Sequence, residues 1–140
     1  MKSEVFLPED YRPIEDEPFM NEMQLEWFRR ELIRQKGELL NESKLTIADL
    51  QNGTRNIPDM ADRASEESDR ALELRIRDRQ RKLGSKIDAA LRRIESGEFG
   101  YCEESGEPIS LRRLVARPTT TLSLEAQERH ERREKVHRDD

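Results

Sequence analysis

Cysteine is almost absent from this chain. Cys102 stands alone, so no internal disulfide can form, and no cluster of four cysteines or histidines is available for a structural zinc. A reducing cytoplasm is the expected setting. Apolar residues are scarce as well, at 33% against 41% charged, which excludes a large globular core in 140 residues. No run approaches the roughly 20 apolar residues of a membrane span. The opening MKSEVFLPEDY lacks the apolar stretch of a secretory signal, so no membrane association is expected. A basic excess is missing too. The formal net charge of −5 argues against non-specific DNA binding, which needs cations to release phosphate counterions. What remains is disorder, or long helices that bury one narrow stripe and solvate the rest.

Periodicity favours the helices. Residues 1–20, with Pro8, Pro13 and Pro18, read as an extended arm that Phe6, Tyr11 and Phe19 tack onto the body. Asn21 with Gln24 three residues later resembles a capping box. From there Leu25, Phe28, Leu32, Gln35, Leu39, Glu42 and Thr46 recur at spacings of three and four, a heptad seam that Asn52-Gly53 is suited to end. Trp27 beside Phe28 is expected to anchor the base of this helix. A second seam, Leu72, Ile76, Arg79, Leu83, Ile87, Ala90 and Ile94, belongs to a helix starting near Pro58-Asp59 and stopping at Gly97. Each helix should span roughly 45–55 Å at about 1.5 Å per residue. Stripes so thin cannot hold either helix alone, and the short link makes an antiparallel hairpin the expected pairing. Beyond Gly97, the glycines and prolines at 100, 106, 108 and 118 predict turns and a small hairpin, then a third helix over roughly 123–136. The expected fold class is all-α. A long antiparallel coiled-coil hairpin (residues 21–97, tip near 52–64) projects from a small head formed by the arm and residues 98–140.

Charge is unevenly spread along the second helix. Over residues 59–69, Asp59, Asp62, Glu66, Glu67 and Asp69 face Arg63 alone, whereas over 70–86 seven cations stand against Glu73 and Asp78. An acidic tip on a basic shaft suits entry into a channel with acidic walls and metal ions at its end. Charge runs on a thin coiled coil are also ordinarily its solvated face. Asp59 and Asp62 have a local explanation as N-cap and N3 residues near the positive end of a helix dipole. With no pocket at a bare hairpin tip, an active site is not expected there. Arg79 in the seam and Lys86 two turns on read either as snorkelling cations or as a phosphate-binding surface. His130 and His137, seven apart on a charged helix, read as surface residues.

Five runs carry a resemblance: MNEMQLEWFRRELIRQKGEL, NIPDMADRASEES, LELRIRDRQRKL, GEFGYC and ISLRRLVARPTT. In this order they resemble the DksA/TraR family and cover most of the chain after residue 19. The resemblance implies a non-enzymatic regulator whose coiled-coil tip enters the secondary channel of bacterial RNA polymerase without binding DNA itself. In the DksA-like branch such proteins act with guanosine tetraphosphate (ppGpp) in the stringent response. It further implies a polymerase-modulating tip at Asp59, Asp62 and Ala64, and ppGpp contacts at Asn56, Arg79 and Lys86. A further alarmone-contacting position, usually lysine, is Gln127 here. A monomer is expected.

The largest departure lies where the family commonly has C-x-x-C…C-x-x-C. This chain reads Cys102, Ser105, Ser123 and Ala126. A serine hydroxyl is a poor zinc ligand and alanine is none, so a zinc-free head is expected. Packing among Phe99, Ile109, Leu111, Leu114, Leu122 and Leu124 should replace the metal, with Ser123 capping the last helix. A coiled-coil scaffold or chaperone-like protein that does not touch the polymerase would explain the heptads, but not DMADRAS together with GYC…RRL…ARPT.

Overall fold

A computed structural model describes residues 5–54 and 60–139, apart from the side chains of 53–54, 60–64 and 138–139. Four helices follow one another: α1 (Glu22–Thr54), α2 (Met60–Ser96), α3 (Leu111–Ala116) and α4 (Leu124–Asp139). Among the described residues there is no strand, only an isolated antiparallel bridge between Tyr101 and Pro108. The fold is all-α. The chain divides into two compact units, one of residues 1–32 with 89–140 and one of residues 33–88. Both long helices contribute residues to each unit.

In the unit of residues 33–88, α1 and α2 pair antiparallel. Lys36 Nζ meets Asp88 Oδ1 at 2.7 Å, and Gln51 Nε2 donates to Glu73 Oε1 at 3.4 Å. Fifteen residues forward on α1 therefore match fifteen back on α2, so the register holds along the shaft. The buried stripe differs in detail from the expected heptads. On α1, Glu42 and Thr46 are exposed, while Ser43 and Ile47 are buried. The cause is geometric: an α-helix turns once in 3.6 residues, so a strict seven-residue seam drifts about 20° per heptad. Two heptads of drift turn the inward direction by about 40°, towards the residues that follow 42 and 46. On α2 the expected seam residue Arg79 is exposed and Gln80 is half-buried in its place. Glu73 likewise replaces Leu72, which is 39% exposed. α1 also runs through Gly53 to Thr54 instead of stopping at Asn52-Gly53.

The other unit is built around Phe28, Leu32, Ala90, Phe99, Ile109, Leu111 and Leu114, all buried. Phe28 meets Trp27 edge-on and Phe99 at a tilt of 48°, each with a ring-centroid distance of 5.1 Å. Asn21 opens α1 by accepting from Gln24 N at 2.8 Å. The reciprocal bond of the capping box goes one residue further back, from Met20 N to Gln24 Oε1 at 2.8 Å. Gln24, fully buried, also donates to the Ile14 carbonyl at 3.1 Å and so ties the arm to the helix start. Phe19 meets Tyr101 edge-on at 5.6 Å. Beneath them Gly100 has φ of 92°, and a Cβ there would lie 3.0 Å from Met20 Cγ. At the same end of the hairpin, α2 closes at Gly97, with the amides of Glu98 and Phe99 both donating to the Arg93 carbonyl.

Two details of this unit differ from the sequence expectation. A short extra helix, α3, follows Ser110, whose Oγ accepts from Arg113 N at 3.2 Å. Leu124, expected in the core, is 59% exposed, because it opens α4 on the outward side while Ala126 turns in and is fully buried.

Candidate functional site

The turn 102–107 is closed by Cys102 N donating to the Glu107 carbonyl at 2.8 Å and Gly106 N to the Cys102 carbonyl at 2.9 Å. Ser123 stands at the start of α4, where its Oγ accepts from Ala126 N at 3.2 Å. Cys102, Ser105 and Ser123 converge, with Ala126 buried beside Ser123. Burial by itself pushes the Cys102 thiol up. Hydrogen bonds from the hydroxyls and amides of Ser105 and Ser123 outweigh it and bring the thiol down to about 6. The arrangement holds a buried thiolate by hydrogen bonds.

A tetrahedral zinc needs four nitrogen, sulfur or carboxylate donors. Here one thiolate faces two hydroxyls and a methyl group. The Ser105 oxygen already accepts from Glu107 N at 3.3 Å, and the Ser123 oxygen serves as the α4 cap. Among the described residues no group of three or more His, Cys, Asp or Glu side chains is placed to hold a metal ion. The donor set does not fit the metal. The same turn is joined to α4 by a contact that no sequence spacing signals. The Glu104 carboxylate bonds His130 Nε2 and lies 3.7 Å from Arg129 Nη2. His130 is at the surface as expected, with its side chain 42% exposed, and Glu104 is its partner there.

On α2, Arg79 and Lys86 are exposed and seven residues apart, which puts them on one helix face about 10 Å from each other. Their neighbours are committed: Arg77 to Glu73 at 3.0 Å, Arg81 and Lys82 to Asp78 at 2.5 and 3.0 Å. Arg79 and Lys86 have no hydrogen bond or ion pair among the described residues. Gln127, half-buried on α4, donates to Glu131 at 3.3 Å. Asp62 and Ala64 belong to the first two turns of α2, with side chains outside the described residues. Asn56 and Asp59 lie outside the described residues altogether.

Residues 24–94 match the family model described as DnaK suppressor protein DksA, N-terminal domain, and residues 97–132 match the prokaryotic dksA/traR C4-type zinc finger. The chain belongs to the DksA/TraR family. It is 69% identical over 131 residues to the RNA polymerase-binding transcription factor DksA of Caulobacter vibrioides, covering 94% of this chain and 92% of that protein. To the Escherichia coli K12 protein of the same name it is 44% identical over 127 residues, covering 91% and 84%. The solved structure of transcription factor DksA2 from Pseudomonas aeruginosa superposes with a TM-score of 0.75 at 45% identity, covering 84% of this chain and 90% of that one. The C4-type match contains all four degenerate positions, so this DksA/TraR chain has the finger's frame with one of its four cysteines.

Proposed function

We propose that this chain is a transcription factor that binds bacterial RNA polymerase directly and modulates initiation, with no catalysis of its own. One observation carries this reading: 69% identity, across 94% of the chain, to a protein named for RNA polymerase binding. The coiled-coil tip, with Asp59, Asp62 and Ala64, enters the secondary channel and acts there by charge and shape. The small side chain of Ala64 permits close approach. Asn56, Arg79 and Lys86 contact ppGpp at the polymerase interface, a role supported by two unpaired cations on one helix face, since polyphosphates are held by such donors. In this reading the factor works in the cytoplasm as a monomer; no helix of the described residues is long and apolar enough to cross a membrane.

The head folds without zinc, a reading supported by the single thiolate in its donor set. Purified protein should contain no stoichiometric zinc, and a chelator should leave its melting curve in place. One tightly held zinc per chain would overturn this. The function itself is tested by recovering the tagged chain from a bacterial lysate and measuring open-complex lifetime with purified polymerase. Polymerase subunits should dominate the recovered material and the lifetime should change. Recovery without polymerase would favour a scaffold.

A further inference from the structure

Each long helix carries one glycine deep in its interior, Gly37 in α1 and Gly84 in α2. Relative to alanine, such a glycine lowers the local helix equilibrium roughly fivefold. Glycine is normally kept inside a helix where a neighbour approaches too closely for a side chain, or where φ must be positive. Neither reason applies here. A methyl group at either position would meet nothing within 4 Å, and φ is positive at neither.

The two positions coincide along the shaft. With Lys36 opposite Asp88, Gly37 stands opposite residue 87 and Gly84 opposite residue 40, so the glycines lie within about one helical turn of each other. On α1, packing is thin at this level, and the buried Ile87 of α2 is the main seam contact there. No residue of α1 from 33 to 42 is buried, and Ile33 and Leu40 are 48% and 40% exposed. Both glycines sit four residues inside the limits of the compact unit 33–88. Weak helix propensity in both helices and few buried contacts on α1 are the two ingredients of a segment that opens at low free energy.

We propose that Gly37 and Gly84 form a paired hinge at which both strands of the hairpin bend together. The seam residues Leu39, Leu83 and Ile87 keep the helices side by side while their backbones yield. A hinge here lets the shaft and the rest of the chain meet separate surfaces of a large partner without strain, and it rests on no assumption about which partner that is.

Residue-resolved amide hydrogen exchange on the full chain tests the proposal. Amides over 34–41 and 81–88 should exchange faster than those around the buried Phe28 and Ile47. Gly37→Ala and Gly84→Ala should each slow that window about fivefold, and together about twenty-five-fold, leaving the Phe28 and Ile47 amides as they were. Because the added methyl groups meet nothing, both variants should melt no lower than the parent. Exchange without a local maximum near the glycines, uniform slowing along both helices, or a lowered melting point would each overturn the hinge.

Discussion

Lys36 and Asp88, 52 positions apart in sequence, meet at 2.7 Å and set the level at which the two long helices pair. The same offset recurs at Gln51 and Glu73, so it sets Ile47 level with residue 77, next to Ile76, and Ser43 level with residue 81, next to Gln80. The seam thus alternates an apolar layer with a polar one. A polar layer fixes register, because sliding the helices would set hydroxyl and amide groups against apolar side chains.

The ion pair should contribute little by itself. Its side chains are 41% and 43% exposed, and pairs so well solvated are worth only about 0.2–1 kcal/mol. A double-mutant cycle with Lys36→Ala and Asp88→Ala, read by urea unfolding, should give a coupling in that range that shrinks with added salt. The helices should remain paired in every variant, since the seam and not the bridge holds them.

Cys102 should make stability depend on pH. Its thiol is lowered in the folded chain from the ordinary 9.0 to about 6, so the thiolate adds stability that is fully present above about pH 9 and is lost as pH falls towards 6. Resistance to urea should therefore rise between pH 6 and 9, and Cys102→Ala should flatten that slope. Ser123→Ala removes a hydrogen bond to the sulfur and the α4 cap together. Its thiol should titrate at higher pH, which ultraviolet thiolate absorbance would register. An unchanged slope in Cys102→Ala would mean that other groups govern this window.

The helices and their antiparallel pairing were legible because two spaced apolar series and Gly97 are strong local signals. The exact stripe was not. Reading α1 as strict heptads misplaces Glu42 and Thr46, where Ser43 and Ile47 turn inward instead. On α2 the error was of phase, since alternating fours and threes back from Ile94 through Ala90, Ile87 and Leu83 fall on Gln80 and Glu73 and not on Arg79 and Leu72. The short α3 escaped because six residues give no periodicity, although Ser110 ahead of Arg113 is a visible cap. At the head, the four positions around Cys102 could be found only by resemblance. The contact of Glu104 with His130 joins residues 26 apart, beyond any local pattern.

Alarmone response should depend on Arg79 and Lys86, the two shaft cations on one face that pair with no other described residue. Charge-assisted hydrogen bonds contribute about 1.5–3 kcal/mol, so Arg79→Ala and Lys86→Ala should each weaken ppGpp binding on the order of tenfold or more. The loss should appear only with polymerase present, where the site is completed. Helicity should be unchanged, because neither side chain is buried or bonded to another described residue. If the double variant keeps full synergy with ppGpp in transcription assays, these cations are ordinary solvated surface.

The tip should separate binding from action. α2 begins at Met60, which puts Asp62 in its first turn, where a carboxylate is favoured by the helix dipole whatever else it does. Two explanations therefore compete for one side chain, and Asp62→Asn divides them. Asparagine is nearly isosteric and stays polar, so the helix start should survive. If Asp62 only serves the helix, the variant should lose about 0.3–1 kcal/mol of stability and act normally on transcription. If the carboxylate acts in the polymerase channel, the folded variant should still compete for polymerase yet leave open-complex lifetime unchanged. Helicity, polymerase affinity and open-complex decay, measured on the same sample, distinguish these outcomes. We expect intact helicity and affinity with the effect on lifetime lost, and full activity would reduce the acidic tip to helix chemistry.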